Sequence, residues 1–173
     1  MGNKAVRRCL ACGRCQENRN ERCTIDGDEV NDWIQLMKSA DGILLGSPVY
    51  YSTVAGTMKS FLDRAFYVAG ANGGMLSHKV GAAVVAVRRS GGLPPFDQLN
   101  NYLVFSEMLI PGSNYWNVIH GTTPGEAARD EEDVQIMRVL GGNMAWLMKL
   151  TEHGRGRVRE PAREAQVFMN FIR

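Results

Sequence analysis

Apolar residues along the chain follow two patterns, short continuous runs and helically spaced stripes. Two segments, residues 43–46 and 80–87, are almost wholly apolar, which is typical of strands that are covered on both faces, as in a parallel sheet. Elsewhere apolar residues recur every three or four positions, the spacing of one helix face. These stripes occupy residues 30–37, 58–66, 96–103 and 137–148.

Strand and helix patterns therefore alternate, which predicts an α/β fold with a parallel sheet and helices on both faces. Ligands of such sheets bind at the carboxyl ends of the strands. The two relevant strand ends here are residues 47–52 and 88–92. We also expect a short strand over residues 108–112 that is cut by Pro111, and a loop over residues 114–125. Asp130 is predicted to cap the last helix.

Length, composition and net charge indicate which classes of protein this chain can belong to. A chain of 173 residues with 45% hydrophobic residues can bury a core, so we expect one domain over residues 1–173. Residues 155–173 are expected to form a C-terminal extension. A net charge of +2 gives no argument for a nucleic-acid partner. The chain has no apolar run of about 18 residues, so we expect no membrane span.

All four cysteines lie in a loop over residues 9–23, with the spacing C-x2-C-x2-C-x7-C; they are Cys9, Cys12, Cys15 and Cys23. Four thiolates this close in sequence can hold a [4Fe–4S] cluster or, less often, a zinc ion. Cysteines that bind nothing are a third alternative. Because the cysteines are clustered and no secretion signal is apparent, we expect a reducing compartment, the cytoplasm.

The segment G-S-P-V-Y-Y-S-T at residues 46–53, with M-K-S-F-L-D-R at residues 58–64, resembles the flavodoxin-like NAD(P)H-dependent FMN reductases. With the compact cysteine motif, the chain is most similar to the iron–sulfur flavoprotein branch of that superfamily. The resemblance covers roughly residues 4–150. It implies a flavodoxin-like fold of three layers, in which helices cover both faces of a parallel sheet.

The resemblance also implies two segments that bind FMN, one with the S-P-V-Y motif and one after the next strand. Their residues are Pro48, Val49, Tyr50, Tyr51, Ser52, Arg88, Arg89, Ser90, Gly91 and Gly92. The second segment begins with two arginines, Arg88 and Arg89, whereas the family usually has smaller or glycine residues at the start of this loop. The loop at residues 114–117 is either at the flavin edge or a surface turn. The four cysteines are the implied metal ligands.

One feature of the family has no counterpart in this sequence. The family begins with a strand, a phosphate-binding loop and a helix, whereas this sequence starts where the second strand would be ending. Because the first strand lies inside the sheet, its absence would leave strand edges unpaired. A preceding segment, another chain or a loss of phosphate binding could each explain this, and we expect the first.

The implied function is an FMN-binding oxidoreductase of the NAD(P)H-dependent FMN or quinone reductase type, with a [4Fe–4S] cluster for electron transfer. The alternatives are an electron carrier without substrate turnover, exchanging electrons with ferredoxin, and a non-enzymatic remnant without flavin. We expect a homodimer or homotetramer that pairs through the helix predicted over residues 54–66. No catalytic side chain is assigned, because His78 and His120 have no partner nearby in sequence.

Overall fold

The structure, a computed structural model, describes residues 4–169 and residue 171. Its centre is a four-stranded sheet in the order β2-β1-β3-β4. Strands β1, β3 and β4 are parallel, and the two-residue strand β2 pairs antiparallel with the end of β1. The strands are β1 (Gly42–Tyr50), β2 (Thr53–Val54), β3 (Val80–Val87) and β4 (Val118–His120). The predicted α/β fold is confirmed.

Five α-helices and a short 3₁₀ helix, Ala127–Arg129, accompany this sheet within the described residues. The α-helices are α1 (Arg14–Asn18), α2 (Val30–Ser39), α3 (Gly56–Ala71), α4 (Leu93–Phe105) and α5 (Glu131–Gly154). Asp130 caps α5 as predicted, because its side chain accepts a hydrogen bond from the backbone N–H of Asp133. No helix in this part of the chain is both long and apolar enough to cross a bilayer.

The two faces of the sheet are covered to different extents. On one face, Ile43 and Leu45 are buried in a core that includes Leu62 of α3 and Leu99 of α4. On the other face α5 lies close to the start of β1, since a Cβ added at Gly42 would come within 2.9 Å of the Met144 side chain. Helices therefore lie on both faces.

The face covered by α5 is left partly open. Leu44 of β1 points to this face because it alternates with Ile43 and Leu45 along the strand, and it is 55% exposed. Trp146 of α5 is 63% exposed. Strand β1 pairs with β3 along one edge. Along its other edge, within the described residues, it pairs only near Tyr50, where it meets β2. In the part of the chain that the structure describes, this edge of β1 and this part of the face are thus left uncovered.

Two sequence predictions near the third parallel strand were wrong. The strand expected over residues 108–112 is reduced to one bridge between Leu109 and Val80, because Pro111 cannot donate a ladder hydrogen bond. The loop expected over residues 114–125 contains β4, which is only three residues long. A run that short carries no readable periodicity.

The C-terminal extension follows α5. Residues 159–169 form neither helix nor strand, and Val167 and Phe168 are exposed. The end of the predicted extension, at residues 170, 172 and 173, lies outside the described residues.

Candidate functional site

The four cysteines of the N-terminal loop line one common hollow. Gly13, Thr24, Arg64 and Tyr67 are among its other walls. None of the four thiols is in a disulfide. The structure therefore brings together the side chains that the sequence predicts as metal ligands.

Local backbone geometry curls the loop around this hollow. Ala11 and Gly13 have φ angles of +50° and +73°, a region that glycine occupies at little cost. These two left-handed residues flank Cys12 and turn the chain into the single-turn helix α1. That helix buries Cys15 against the core. Cys12, between the two turns, stays exposed to solvent.

The other end of the loop is fixed by the first turn of α2. The backbone N–H of Cys23 donates to Asn31 Oδ1 at 2.7 Å, and Asn31 Nδ2 donates back to the Cys23 carbonyl at 2.9 Å. Asn31 is buried, so both bonds are shielded from water. The position of Cys23 is thus set by a helix that belongs to the fold.

Arg64 of α3 joins the cysteine loop to the body of the protein. Its guanidinium donates from Nε to Cys23 Sγ at 3.3 Å and from Nη2 to the Ile25 carbonyl at 2.8 Å. It also donates to the Arg7 carbonyl at 3.3 Å and pairs with the carboxylate of Asp28. Arg64 is only 1% exposed. It is the arginine of the L-D-R motif, so that motif anchors the cysteine loop.

The environment of the loop shifts the acidity of several groups. Hydrogen bonds from the backbone of Arg14 and the side chain of Thr24 lower the pKa of the Cys12 thiol. Burial, with a smaller contribution from neighbouring thiols, raises the pKa of the Cys15 thiol. Burial by itself raises the pKa of the Asp28 carboxyl, but hydrogen bonds from Arg64 and backbone N–H groups outweigh it and lower the pKa below its usual range.

The first predicted flavin segment forms a tight hairpin at the carboxyl end of β1. Tyr50 pairs with Thr53, so Tyr51 and Ser52 form a two-residue turn, and both have positive φ angles of +50° and +58°. Such turns usually contain glycine, and strained residues of this kind cluster at functional sites. Tyr51 is fully exposed and Tyr50 mostly so. Pro48 is exposed and Val49 half-buried.

The second predicted flavin segment touches the first. Gly91, with a φ of +82° after the end of β3, lies so close to the hairpin that an added Cβ would come within 2.4 Å of Ser52 Oγ. Gly92 is buried against Val118 of β4. The remaining three residues of the segment are exposed; they are Arg88, Arg89 and Ser90. The structure therefore brings both predicted segments to one edge of the sheet.

A hollow of about 210 Å³ opens beside this edge. Ser90 and Gly91 line one side, and the exposed aromatic residues Tyr115 and Trp116 line another. The ring centroids of Tyr115 and Trp116 are 6.0 Å apart. Aromatic walls of this kind suit a planar ligand, which favours the flavin-edge interpretation of residues 114–117 over a plain surface turn.

Sequence reasoning missed one pair of residues at this edge. His120 lines the same hollow and contacts the carboxylate of Asp133. The two residues are thirteen positions apart, and the turn that joins β4 to α5 brings them together. The sequence signal for this pair is a strand that ends in His120, followed closely by a helix that Asp130 caps and whose first turn is acidic. Because the strand was not predicted, the pair was not found.

Comparisons with known proteins identify the family of this chain. The model of the family described as NADPH-dependent FMN reductase matches residues 6–123. An iron-sulfur flavoprotein of Methanocaldococcus jannaschii is 33% identical over 157 residues, covering 87% of this chain and 79% of that protein. An iron-sulfur flavoprotein of Methanosarcina thermophila is 30% identical over 148 residues, covering 81% and 75%.

Solved structures show the same fold. A flavodoxin, WrbA-like protein from Agrobacterium tumefaciens has a TM-score of 0.59 at 19% identity, covering 73% of this chain and 78% of that one. RosB with a bound intermediate, 8-demethyl-8-formylriboflavin-5'-phosphate, has a TM-score of 0.59 at 15% identity, covering 86% and 68%. The expected flavodoxin-like architecture is confirmed. The chain belongs to the NADPH-dependent FMN reductase family and is most similar to its iron–sulfur flavoprotein branch.

Proposed function

We propose that this protein is an FMN-dependent oxidoreductase that also carries a [4Fe–4S] cluster, and that it transfers electrons between the two. Flavin-binding oxidoreductase activity follows from the family. The observation that carries the finer proposal is the pairing of two separate sites on one chain. One is an aromatic edge suited to a planar ring, and the other is a hollow lined by four thiols.

The flavin would be held by the ten residues of the two segments at the carboxyl edge. Exposed tyrosine rings on the hairpin offer an apolar wall, and the close contact of Gly91 with Ser52 keeps the two segments together. Bound FMN would supply the chemistry of accepting a hydride, with NAD(P)H as the proposed donor, and of releasing electrons one at a time. The side chains hold and orient the ring, and we assign none of these ten a proton-transfer role.

The spacing of the thiols favours a cluster over a single zinc ion. A tetrahedral zinc ion at about 2.3 Å from each sulfur requires sulfurs within about 4 Å of one another. Among the described residues, three metal-ligating groups within 4.8 Å of one another occur only at His120, Asp130 and Asp133, so no three cysteine sulfurs are that close. A cubane spreads its thiolates over four separate irons. Cys9, Cys12, Cys15 and Cys23 would be the ligands.

Arg64 would serve the cluster in two ways. Its buried ion pair with Asp28 holds the cysteine loop against α3, and its Nε–H donates to the Cys23 sulfur. Hydrogen bonds to ligand sulfurs help to set the potential of a cluster. Helix α3 begins just after the flavin hairpin, and Arg64 lies about 12 Å further along its axis at a rise of 1.5 Å per residue. The same helix therefore supports both sites.

A second candidate is an electron carrier without substrate turnover, which exchanges electrons with an acidic protein such as ferredoxin. The observation that favours it is the exposure of the five arginines within and just before the cysteine loop. These residues are Arg7, Arg8, Arg14, Arg19 and Arg22. A basic surface beside the cluster would attract an acidic partner. Fast exchange with ferredoxin, beside slow turnover with NADH or NADPH, would favour this candidate.

We propose a homodimer or homotetramer in the cytoplasm. The apolar stripe of α3, including Met58, Phe61 and Phe66, is buried within the protomer. Pairing through this helix would therefore use its exposed positions, among them Thr57 and Tyr67.

The proposal is tested by the absorption spectrum of anaerobically purified protein before and after dithionite, with iron analysis. We expect flavin bands, a broad shoulder from the cluster and about four iron atoms per chain. The matched variant Cys12→Ser should keep the flavin bands and lose iron. Flavin bands without iron in the wild type would remove the cluster from the proposal. A colourless wild type after incubation with FMN would overturn the proposal as a whole.

A further inference from the structure

A histidine and a carboxylate meet at the carboxyl edge of the sheet, inside the hollow beside the predicted flavin segments. His120 is the last residue of β4, and Asp133 lies in the first turn of α5. We propose that His120 and Asp133 form a proton-donating dyad for an organic acceptor that is reduced at this edge, with His120 Nε2 as the donor atom. The inference deepens the proposed function and rests on it, because the flavin of that function supplies the electrons.

The hydrogen bonds fix both the ring and its proton. Asp133 Oδ2 accepts from the His120 backbone N–H at 2.9 Å and lies 2.7 Å from His120 Nδ1. A carboxylate only accepts, so the proton of that bond sits on Nδ1. Among the described residues none forms a hydrogen bond with Nε2, which leaves this atom for an occupant of the hollow.

The two side chains of the dyad differ in their exposure to solvent. The Asp133 side chain is 10% exposed, whereas the His120 side chain is 44% exposed. The backbone N–H of Asp133 donates to Asp130 Oδ1 at 3.1 Å, so the helix cap holds the carboxylate in place. A buried, fixed carboxylate orients the imidazole, and the exposed ring can exchange protons with water. Asp133 is thus a positioning residue, and His120 is the group that would touch the acceptor.

The same residues could be read as a cation site, since His120, Asp130 and Asp133 have ligand atoms within 4.8 Å of one another. Their hydrogen bonds argue against it. The Oδ2 atom of Asp133 already accepts two bonds from His120, and Asp130 Oδ1 accepts the capping bond. Moreover, the proton on Nδ1 blocks that nitrogen as a ligand. The cluster is therefore satisfied as a hydrogen-bonded dyad on a helix cap.

The chemistry that needs such a donor is the two-electron reduction of a quinone. Bound flavin would supply a hydride, that is two electrons and one proton, which would leave the quinone as a hydroquinone monoanion. The protonated His120 then donates from Nε2 to the anionic oxygen, the N–H bond breaks as the O–H bond forms, and water returns the proton to the ring. The aromatic walls of the hollow, Tyr115 and Trp116, suit a planar ring such as that of a quinone.

The ionisable groups around the dyad are few. Asp133 and Asp130 face it from the start of α5, and the charge of His120 contributes to lowering the pKa of Asp130 after the stronger effect of the Asp133 backbone N–H. Tyr115 lines the hollow from the loop before β4. From the loop after β3, the lining residues Ser90 to Leu93 are uncharged.

Reduction of two different electron acceptors distinguishes a loss of proton donation from a loss of electron supply. Duroquinone needs two electrons and two protons, and its four methyl groups resist addition of thiols, whereas ferricyanide takes electrons alone. The measured quantity is the ratio of the two reduction rates in flavin-loaded protein. In His120→Gln this ratio should fall about 100-fold, since general acids contribute about 10²–10⁴-fold. Asp133→Asn should lower it by a smaller factor, and the control His78→Gln should leave it unchanged.

A second readout does not depend on turnover. In protein labelled with ¹⁵N-histidine and prepared without flavin, the neutral form of His120 should carry its proton on Nδ1, and Asp133→Asn should abolish that preference. An unchanged rate ratio in His120→Gln, or a neutral ring with its proton on Nε2, would overturn the dyad. A wild type that binds no FMN would instead overturn the proposed function, and the NMR result would then decide the dyad by itself.

Discussion

Replacement of Arg64 by methionine should destabilise the protein far more than replacement of an exposed cation in the same region. Arg64 is 1% exposed, and the side chain of its partner Asp28 is 4% exposed. Methionine keeps the apolar stem but leaves the Asp28 carboxylate buried without its counter-ion. The Ile25 and Arg7 carbonyls also lose a donor. Removing one partner of a buried ion pair costs about 3–5 kcal/mol.

The matched control is Lys38→Met. Lys38 of α2 pairs with Glu21 of the cysteine loop, so it also joins a helix to that loop, but the two side chains are 46% and 36% exposed. Exposed pairs contribute about 0–1 kcal/mol. The two variants therefore differ in burial while sharing the loss of one ion pair.

Urea unfolding followed by circular dichroism measures the difference. At an m-value of about 2 kcal/mol per molar urea, the midpoint should fall by about 2 M in Arg64→Met and by less than about 0.5 M in Lys38→Met. Arg64→Lys, which keeps the charge but not the three-sided donor array, should lie between them. Equal midpoint shifts for Arg64→Met and Lys38→Met would refute the claim that this arginine anchors the loop.

Three further outcomes follow from the structure. The pKa of the Asp28 carboxyl is lower in the folded than in the unfolded protein. The ionised carboxylate therefore stabilises the fold fully above the unfolded pKa, near pH 4, and this stabilisation is lost as the pH falls through the folded pKa. In Asp28→Asn the urea midpoint should change less with pH over this acid range than in the wild type. In reduced, metal-free protein, iodoacetamide should modify Cys12 first and Cys15 last, because their pKa values are shifted in opposite directions; mass spectrometry reports the order, and equal rates would contradict it. Gly91→Ala should cost about 1–2 kcal/mol, because Gly91 has a φ of +82° and lies against Ser52; an unchanged thermal midpoint would show that the two segments are not in close contact.

The sequence was sufficient for the elements that bury an apolar face. Strands β1 and β3 are eight or nine residues long, and α2 and α5 have clear periodic stripes, so local pattern and tertiary role agree. Strand β4 was missed because three residues cannot show a period, and its place in the sheet depends on pairing with β3. The start of α3 was displaced by two residues, because Thr53 and Val54 pair with the end of β1 instead.

The site could be predicted in part for similar reasons. The cysteines are close in sequence, so their common hollow was readable from spacing. The anchoring of that hollow was not readable, because Arg64 and Asp28 are thirty-six positions apart and meet only once α3 has packed beside the loop. His120 and Asp133 escaped notice because a turn, rather than a helical spacing, brings them together. Pairings that depend on tertiary packing leave no periodic trace in one sequence.

The central claim is that a flavin ring lies against the hairpin at Tyr50 and Tyr51, and titration of FMN with the purified protein tests it most directly. We expect the fluorescence of FMN to be quenched on binding. Tyr50→Ala should weaken the affinity roughly 2- to 10-fold, the range of an aromatic stacking contact. The control Phe105→Ala removes an exposed aromatic ring at the end of α4 and should leave the affinity unchanged. FMN fluorescence that stays constant as wild-type protein is added would contradict the account.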